Sequence, residues 1–208
     1  YAGFVRDLPS GEEAILKSIP RKQRAEVRKG LERGLDVSIG RNLKGHFRAY
    51  SDSVRNLGTP VFPRGLFRAM LETFGEDANI VLISKNNAPV SAVLSLYHEG
   101  TVYPYWGGGT AAARGERANE LLYFALMKHA AERGCTRFDF GRSKFGTGAF
   151  AFKKNWGFEP RPLVYASWGA HREINPLSPK YRLQVAAWKR LPLWAANRMG
   201  PFLSRGLG

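Results

Sequence analysis

Phe138 to Pro160 read FDFGRSKFGTGAFAFKKNWGFEP. Phe138 and Phe140 alternate with Asp139, the pattern of a strand with one buried face, and the strand runs out into Arg142, Ser143 and Lys144. Gly141, Gly146 and Gly148 free the backbone for a tight turn, and GTGAFAFKKNWG follows as a short basic helix. Alternation places Asp139 opposite the two phenylalanines, so an acid and two cations stand at the open end of a strand. That combination points to an anion: Arg142 suits bidentate binding of phosphate or carboxylate, and Lys144 a point-charge contact with phosphate or an oxyanion.

Working outward, ANELLYFALMKHAAERG reads as a helix with Leu122, Ala125, Leu126 and His129 on one side and Gly134 as its C-cap. Before it, NIVLISKNNAPVSAVLSLYHEGTVYPYWGGG is a meander of three β-runs, broken at Asn86-Asn87 and Glu99-Gly100. NLKGHFRAYSDSVRNLG and RGLFRAMLETFG carry apolar stripes at helical spacing, Phe47, Tyr50, Val54 and Leu57 in one, Leu66, Phe67, Met70, Leu71 and Phe74 in the other. Both stripes read as core. SIPRKQRAEVRKGLERG is expected to be one helix from Ser18 as N-cap to Gly34, exposing Arg21, Lys22, Arg24, Arg28, Lys29 and Arg33 as either a solvated or an anion-binding face. LDVSIG and RPLVYASWGA are further strands. The order of helices, meander, helix, strand, helix, strand defines an α/β (α+β) fold: a mixed, mostly antiparallel sheet flanked by helices.

With 208 residues, 44% hydrophobic and rich in aromatics, the chain can bury one substantial core. A single cysteine, Cys135, excludes an intrachain disulfide and a Cys-rich metal site, and the four histidines lack ligand spacing, so no metal is expected. Cys135 reads as a small buried residue and His129 as a helix-packing one. No run approaches the ~20 apolar residues of a membrane span, and nothing resembles a signal peptide. The net charge is +15, and from Arg142 onward twelve basic residues face two acidic ones. Such a field favours anionic partners: phosphate-bearing substrates, anionic lipid or nucleic acid. The tail, NPLSPKYRLQVAAWKRLPLWAANRMGPFLSRGLG, mixes Tyr181, Trp188 and Trp194 with basic residues in two helical pieces around Pro192. It suits either an interfacial membrane element or a segment packed back on the domain.

ANELLYFALMKHAAERGCTRFDFGRSKFGTGAFAFKKNWGFEPRPLVY resembles the C-terminal signature of FemAB-like proteins of the GNAT fold. The shared pattern is a helix bearing Leu-Tyr, Ala-x-x-x-Gly, then Phe-Asp-Phe-Gly, then Phe-Lys-x-x-Trp-Gly. Gly-Arg-Ser-Lys after the strand, IPRKQRAEVRKGLERGL and PLSPKYRLQVAAWKRLP are similar to the branch associated with PEP-CTERM/exosortase exopolysaccharide systems. Such proteins carry two GNAT-like halves, so the resemblance implies that residues 1–17 lead in from a missing N-terminal half. Residues 18–170 would then form the GNAT-like acyltransferase domain, and residues 171–208 basic aromatic tail helices.

The implied activity is transfer of an acyl or aminoacyl group to an amine of an envelope or exopolysaccharide precursor. Acyl-CoA or aminoacyl-tRNA would be the donor, tRNA a partner in the second case, and the expected place is the cytoplasm, peripheral on the inner membrane face. A Fem-type peptidoglycan aminoacyltransferase and a non-catalytic basic module that docks on anionic lipid or polysaccharide are the alternatives. CoA-using GNAT enzymes hold pyrophosphate on a loop of Arg/Gln-x-x-Gly-x-Gly/Ala before the central helix; GGGTAAARGERAN departs from it, although Arg114, Gly115 and Arg117 can still meet a phosphate. Amide formation needs a base for the amine and donors for the oxyanion. Asp139, Lys144 and Tyr105 are the catalytic candidates, Asp139 being equally readable as partner to an Arg or a turn amide. Arg142, Ser143, Lys153, Tyr123, Trp156, Arg114 and Arg117 are the substrate-binding candidates, with Trp156 otherwise a core residue.

Overall fold

The computed structural model describes residues 1–166, 168 and 181–205. Seven strands form one sheet: β1 (Ala2–Asp7), β2 (Asp36–Gly40), β3 (Ala78–Lys85), β4 (Ala88–His98), β5 (Thr101–Gly109), β6 (Arg137–Ser143) and β7 (Arg161–Pro162), in the spatial order β2-β3-β4-β5-β6-β1-β7. The described helices are α1 (Glu12–Ser18), α2 (Arg21–Leu31), α3 (Leu43–Leu57), α4 (Arg64–Phe74), α5 (Ala113–Glu116), α6 (Ala118–Glu132), α7 (Gly148–Asn155), α8 (Arg182–Lys189) and α9 (Leu193–Ser204). Every described pairing is antiparallel except β5 with β6, where the crossover through α6 makes the strands parallel. This is the mixed, mostly antiparallel sheet expected from the sequence.

Alternation along the meander assigns each residue to a face. Val81, Ile83, Val93 and Val102 pack with Leu122, Phe124 and Met127 of α6, while Ile80, Leu82 and Leu94 pack with Tyr50 and Val54 of α3 and Phe67 and Leu71 of α4. The sheet is therefore sandwiched, and its turns are built as the sequence indicates: Asn86 and Asn87 both take left-handed φ, 50° and 63°, the geometry of a tight hairpin turn. At Gly107-Gly108-Gly109 the sandwich closes so tightly that side chains are excluded. A Cβ on Gly107 would lie 3.0 Å from Val93 Cγ2, and one on Gly108 would lie 2.4 Å from Ser53 Oγ of α3; at Gly109 it would lie 2.4 Å from Ala113 Cβ.

Four expectations are corrected. The N-terminal segment is no mere lead-in: Ala2 and Phe4 are fully buried, and β1 inserts between β6 and β7. The single helix expected from Ser18 to Gly34 is two. Ser18 ends α1, its hydroxyl donating to Ile15 O at 2.6 Å, and Pro20 caps α2; Arg24 turns inward to donate to Lys17 O at 2.9 Å and Ile19 O at 3.0 Å, so it leaves the basic face. Leu57 and Phe74 stand exposed rather than in the core. The last strand is short, Arg161–Pro162, and the expected tail boundary at residue 171 lies outside the described residues. No described helix is long and apolar enough to cross a membrane.

Candidate functional site

β5 and β6 are registered only at Thr101 with Arg137 and Val102 with Phe138. β5 then runs on to Gly109 and β6 to Ser143 without further pairing, so a wedge opens between two parallel strands and leaves backbone amides and carbonyls to a ligand. Two irregularities aim the wedge. On β5 the register with β4 slips between Leu94 opposite Trp106 and Ser95 opposite Pro104, leaving Tyr105 as the extra residue, exposed. On β6 the register with β1 slips between Gly3 opposite Arg142 and Val5 opposite Asp139, with Gly141 at φ 67°. That bulge resets the alternation, so Asp139 and Arg142, three residues apart, share a face of the sheet.

The wall of β5 is pinned from behind by a residue whose role had no sequence signal. His46 is fully buried on α3, and its Nε2 lies 2.7 Å from Trp106 O. Burial drives its pKa down from 6.5 to about 4, so the ring is neutral and Nε2 donates to the carbonyl. It stacks on Tyr50 at 5.6 Å between centroids and meets Phe67 edge-on at 5.1 Å.

On the helix α6 face, Tyr123 stands over the wedge floor. Its ring meets Phe140 at 5.1 Å and Phe152 at 5.4 Å, and its hydroxyl is 3.1 Å from where a Cβ on Gly107 would sit. Burial raises its pKa to about 12, which keeps the hydroxyl protonated at neutral pH. Lys153, on α7, comes in above the end of β6. Its Nζ donates to Arg142 O at 3.1 Å, reaches Gly141 O at 3.4 Å, and lies 5.5 and 6.0 Å from the ring centres of Phe4 and Phe140. Held among rings, the ammonium has a pKa lowered by burial from 10.5 to about 8, against the opposing pull of the Asp139 carboxylate. The glycine turn that delivers it has Gly146 at φ 75°, while Gly148 begins α7 behind Thr147, whose hydroxyl accepts from Phe150 N at 3.2 Å.

The sequence candidates thus separate. Lys153 and Tyr123 flank Phe140 on the covered face. Asp139 and Arg142 are on the other, where Asp139 accepts the Gly141 N–H at 2.7 Å, the turn-amide reading. Arg142 is exposed, donates to Tyr165 Oη at 3.0 Å, and has Tyr1 and Tyr165 rings at 5.3 and 5.7 Å. Asp139 also lines a polar cleft of ≈ 620 Å³ with Arg137, Arg161, Asp7 and Glu159. Ser143 is buried, and Lys144, half-buried, gives its carbonyl to the Thr147 hydroxyl at 2.8 Å. Trp156 is fully buried with its Nε1 unpartnered, so it is core and does not line an open pocket. Arg117 caps α6 with φ 57° and pairs with Glu26 of α2 at 2.7 Å, while Arg114 gives its carbonyl to the Arg117 guanidinium. Glu120 in the first turn of α6 takes up its own backbone N–H, its pKa raised by burial. The first turn of α6 therefore carries the Glu120 carboxyl, with the Glu26 carboxylate held nearby on the Arg117 side chain, beside the helix start that a pyrophosphate would approach.

A mixed sheet split between two parallel strands, with a central helix behind the split, is the architecture of the GNAT fold. An Acetyltransferase (GNAT) domain matches residues 21–154, and the chain belongs to that family. Among solved structures, it is similar to FemX at 16% identity with a TM-score of 0.69, over 76% of this chain and 59% of that one. The C-terminal domain of a putative lysylphosphatidylglycerol synthetase from Agrobacterium fabrum matches at 14% identity and TM-score 0.56, over 77% and 58%. AAC(6')-Iy, solved with a CoA-S-monomethyl-acetylneamine bisubstrate analogue, matches at 14% and 0.52, over 66% and 99%. The chain thus spans under two thirds of the first two. No curated protein matches its sequence.

Proposed function

We propose that this acyltransferase joins an acyl or aminoacyl group to an amine of a phosphate-bearing envelope precursor, with Lys153 as the group that handles charge and proton. The reading rests on one observation: an ammonium sits at the open end of β6 with its pKa lowered to about 8, close to the operating range of an acid–base catalyst. In the proposed step the amine nitrogen attacks the donor's carbonyl carbon, and the carbonyl electrons move to oxygen. Lys153 N–H donates to that oxyanion. As the tetrahedral intermediate collapses, the carbon–heteroatom bond to the carrier breaks; Lys153 gives the leaving group a proton and takes back the one shed by the new amide nitrogen. Lys153 ends as it began, and Tyr123 supplies a second neutral donor toward the wedge floor.

Lys153 replaces Asp139 in the proton-handling role, because Asp139 lies across the sheet and serves a turn. Tyr105 and Lys144 are left to substrate contact at the rim. Arg142 takes a phosphate, and the +15 charge draws in an anionic acceptor such as an exopolysaccharide or peptidoglycan precursor at the inner membrane face. An aminoacyl ester is favoured over CoA as donor by the Glu26–Arg117 pair and Glu120 at the start of α6. The discriminating experiment offers the protein labelled aminoacyl-tRNA or acetyl-CoA with an amine-bearing, undecaprenyl-phosphate-linked acceptor, and follows amide product by mass spectrometry. Amide formed from aminoacyl-tRNA and lost in Lys153→Ala supports the reading. Transfer from acetyl-CoA alone overturns the donor, and intact acceptor binding without product from either donor makes the chain a binding module.

A further inference from the structure

α9 is built inside out for a helix facing water. It buries its small residues, Ala196, Gly200 and Ser204, because α3 and the following loop come too close for more: a Cβ on Gly200 would lie 2.9 Å from Val61 N, and Asn197 Nδ2 donates to Ser51 Oγ at 3.3 Å. Outward it presents Trp194 at 73% exposure, Phe202 at 69%, Leu203 at 50% and Met199 at 49%, over half the helix circumference. Arg198 and Arg205 stand among them, and α8 adds exposed Leu183, Lys189 and Arg190. Residues 181–205 contain five basic residues and no acidic one. Ordinary amphipathic helices turn the large apolar side chains to the core, so this face is stable in water only at a cost that a partner removes.

We propose that the outward face of α9, extended by α8, docks on an anionic lipid surface, with Trp194, Phe202, Met199 and Leu203 entering the headgroup boundary and the arginines pairing with lipid phosphate. The inference stands apart from the reaction at Lys153. Charge complementarity selects the partner's sign, and the apolar residues select its kind. A nucleic acid would satisfy the arginines but offers no apolar phase along its backbone for four large side chains, whereas a bilayer supplies both at one interface.

The test is flotation of the protein with vesicles of phosphatidylglycerol and phosphatidylcholine in equal parts, and with phosphatidylcholine alone. Binding to the mixed vesicles alone is expected. Each arginine replaced in Arg198→Gln and Arg205→Gln should weaken it about fivefold, and Trp194→Ser with Phe202→Ser should remove most of it. Both pairs are exposed, so melting should hold. Trp194 emission should shift to the blue on binding, a signal absent in Trp194→Phe. Three results would overturn the proposal: no binding by the parent, binding that survives the Trp194/Phe202 change while the arginine variants lose it, or a dimer that the apolar variant dissolves without any vesicle binding. The second would leave a surface that reads charge only, as for RNA, and the third an interface between copies.

Discussion

The two faces of β6 carry charged groups of the same kinds in different settings. Beneath α6 and α7, Phe138 and Phe140 form an aromatic stack with Phe152 and Phe158, and Lys153 is held above it with its pKa drawn down to about 8. On the opposite face Arg137 and Asp139 look onto an open polar cleft, and Arg142 stands exposed beside the Tyr1 and Tyr165 rings. The strand-end charges are therefore not equivalent. Water screens the open face, whereas desolvation among rings lowers the Lys153 pKa to about 8. In the proposed reading the open face serves binding and the covered face chemistry.

The most demanding way to break that division is Lys153→Ala. Loss of a charged donor to the oxyanion should lower turnover about 100- to 1000-fold with the fold intact. In the parent, turnover should fall as pH rises through about 8, because the active form is the protonated one and the folded pKa is already depressed. Retained turnover in Lys153→Ala would erase the distinction between the faces.

Next in size is an effect on the other wall of the wedge. Folded His46 titrates near 4 against 6.5 when unfolded, so between these values the unfolded chain binds a proton that the folded one refuses. Stability is full above pH 6.5 and drains as pH falls toward 4, by on the order of 3 kcal/mol for this residue. His46→Gln keeps a donor for Trp106 O but does not titrate, so its urea midpoint should decline less between those two pH values. An equal decline in both proteins would place the acid sensitivity elsewhere.

What the sequence disclosed follows from how local the cause was. The α3 helix was legible from its local stripe of Phe47, Tyr50 and Val54 and from Gly58, which ends it in the left-handed region; Asn42, whose side chain accepts from Gly45 N, closes the other end without having been singled out. The alternation of β6 and the Asn86-Asn87 turn were legible too. The candidate residues were legible by type, but not in the faces and surroundings that packing gives them. Lys153 acquires its character from Phe4, which lies at the other end of the chain in a strand that was read as a lead-in, and His46 acts on Trp106 sixty residues away. Trp156 as core, the Tyr105 bulge and the pairing of Arg117 with Glu26 are likewise products of packing between distant segments. No spacing rule carries them.

A smaller effect should mark Arg142→Ala. If the exposed guanidinium pairs with substrate phosphate as proposed, removing it should raise the apparent KM for a phosphate-bearing acceptor roughly tenfold and leave kcat near the parent's. Melting should be almost unmoved, because a solvent-facing cation contributes little to stability. A drop in kcat to match that of Lys153→Ala would move chemistry onto the open face.

The smallest change expected is the most informative about how the faces communicate. Asp139→Asn keeps an oxygen that can accept the Gly141 N–H now held at 2.7 Å, so the bulge on β6 survives. What disappears is a negative charge, and that charge is the influence that partly restores the Lys153 pKa against burial. Removing it should let desolvation act unopposed, moving the alkaline limb of the pH–rate profile to lower pH while turnover below that limb stays within about twofold of the parent. Asp139→Ala, which also deletes the acceptor for the turn, should lose stability in addition. A limb that stays in place would mean that the carboxylate and the ammonium do not sense each other through the strand. Turnover abolished in Asp139→Asn, with the fold intact, would make Asp139 the base after all and return the chemistry to the open face.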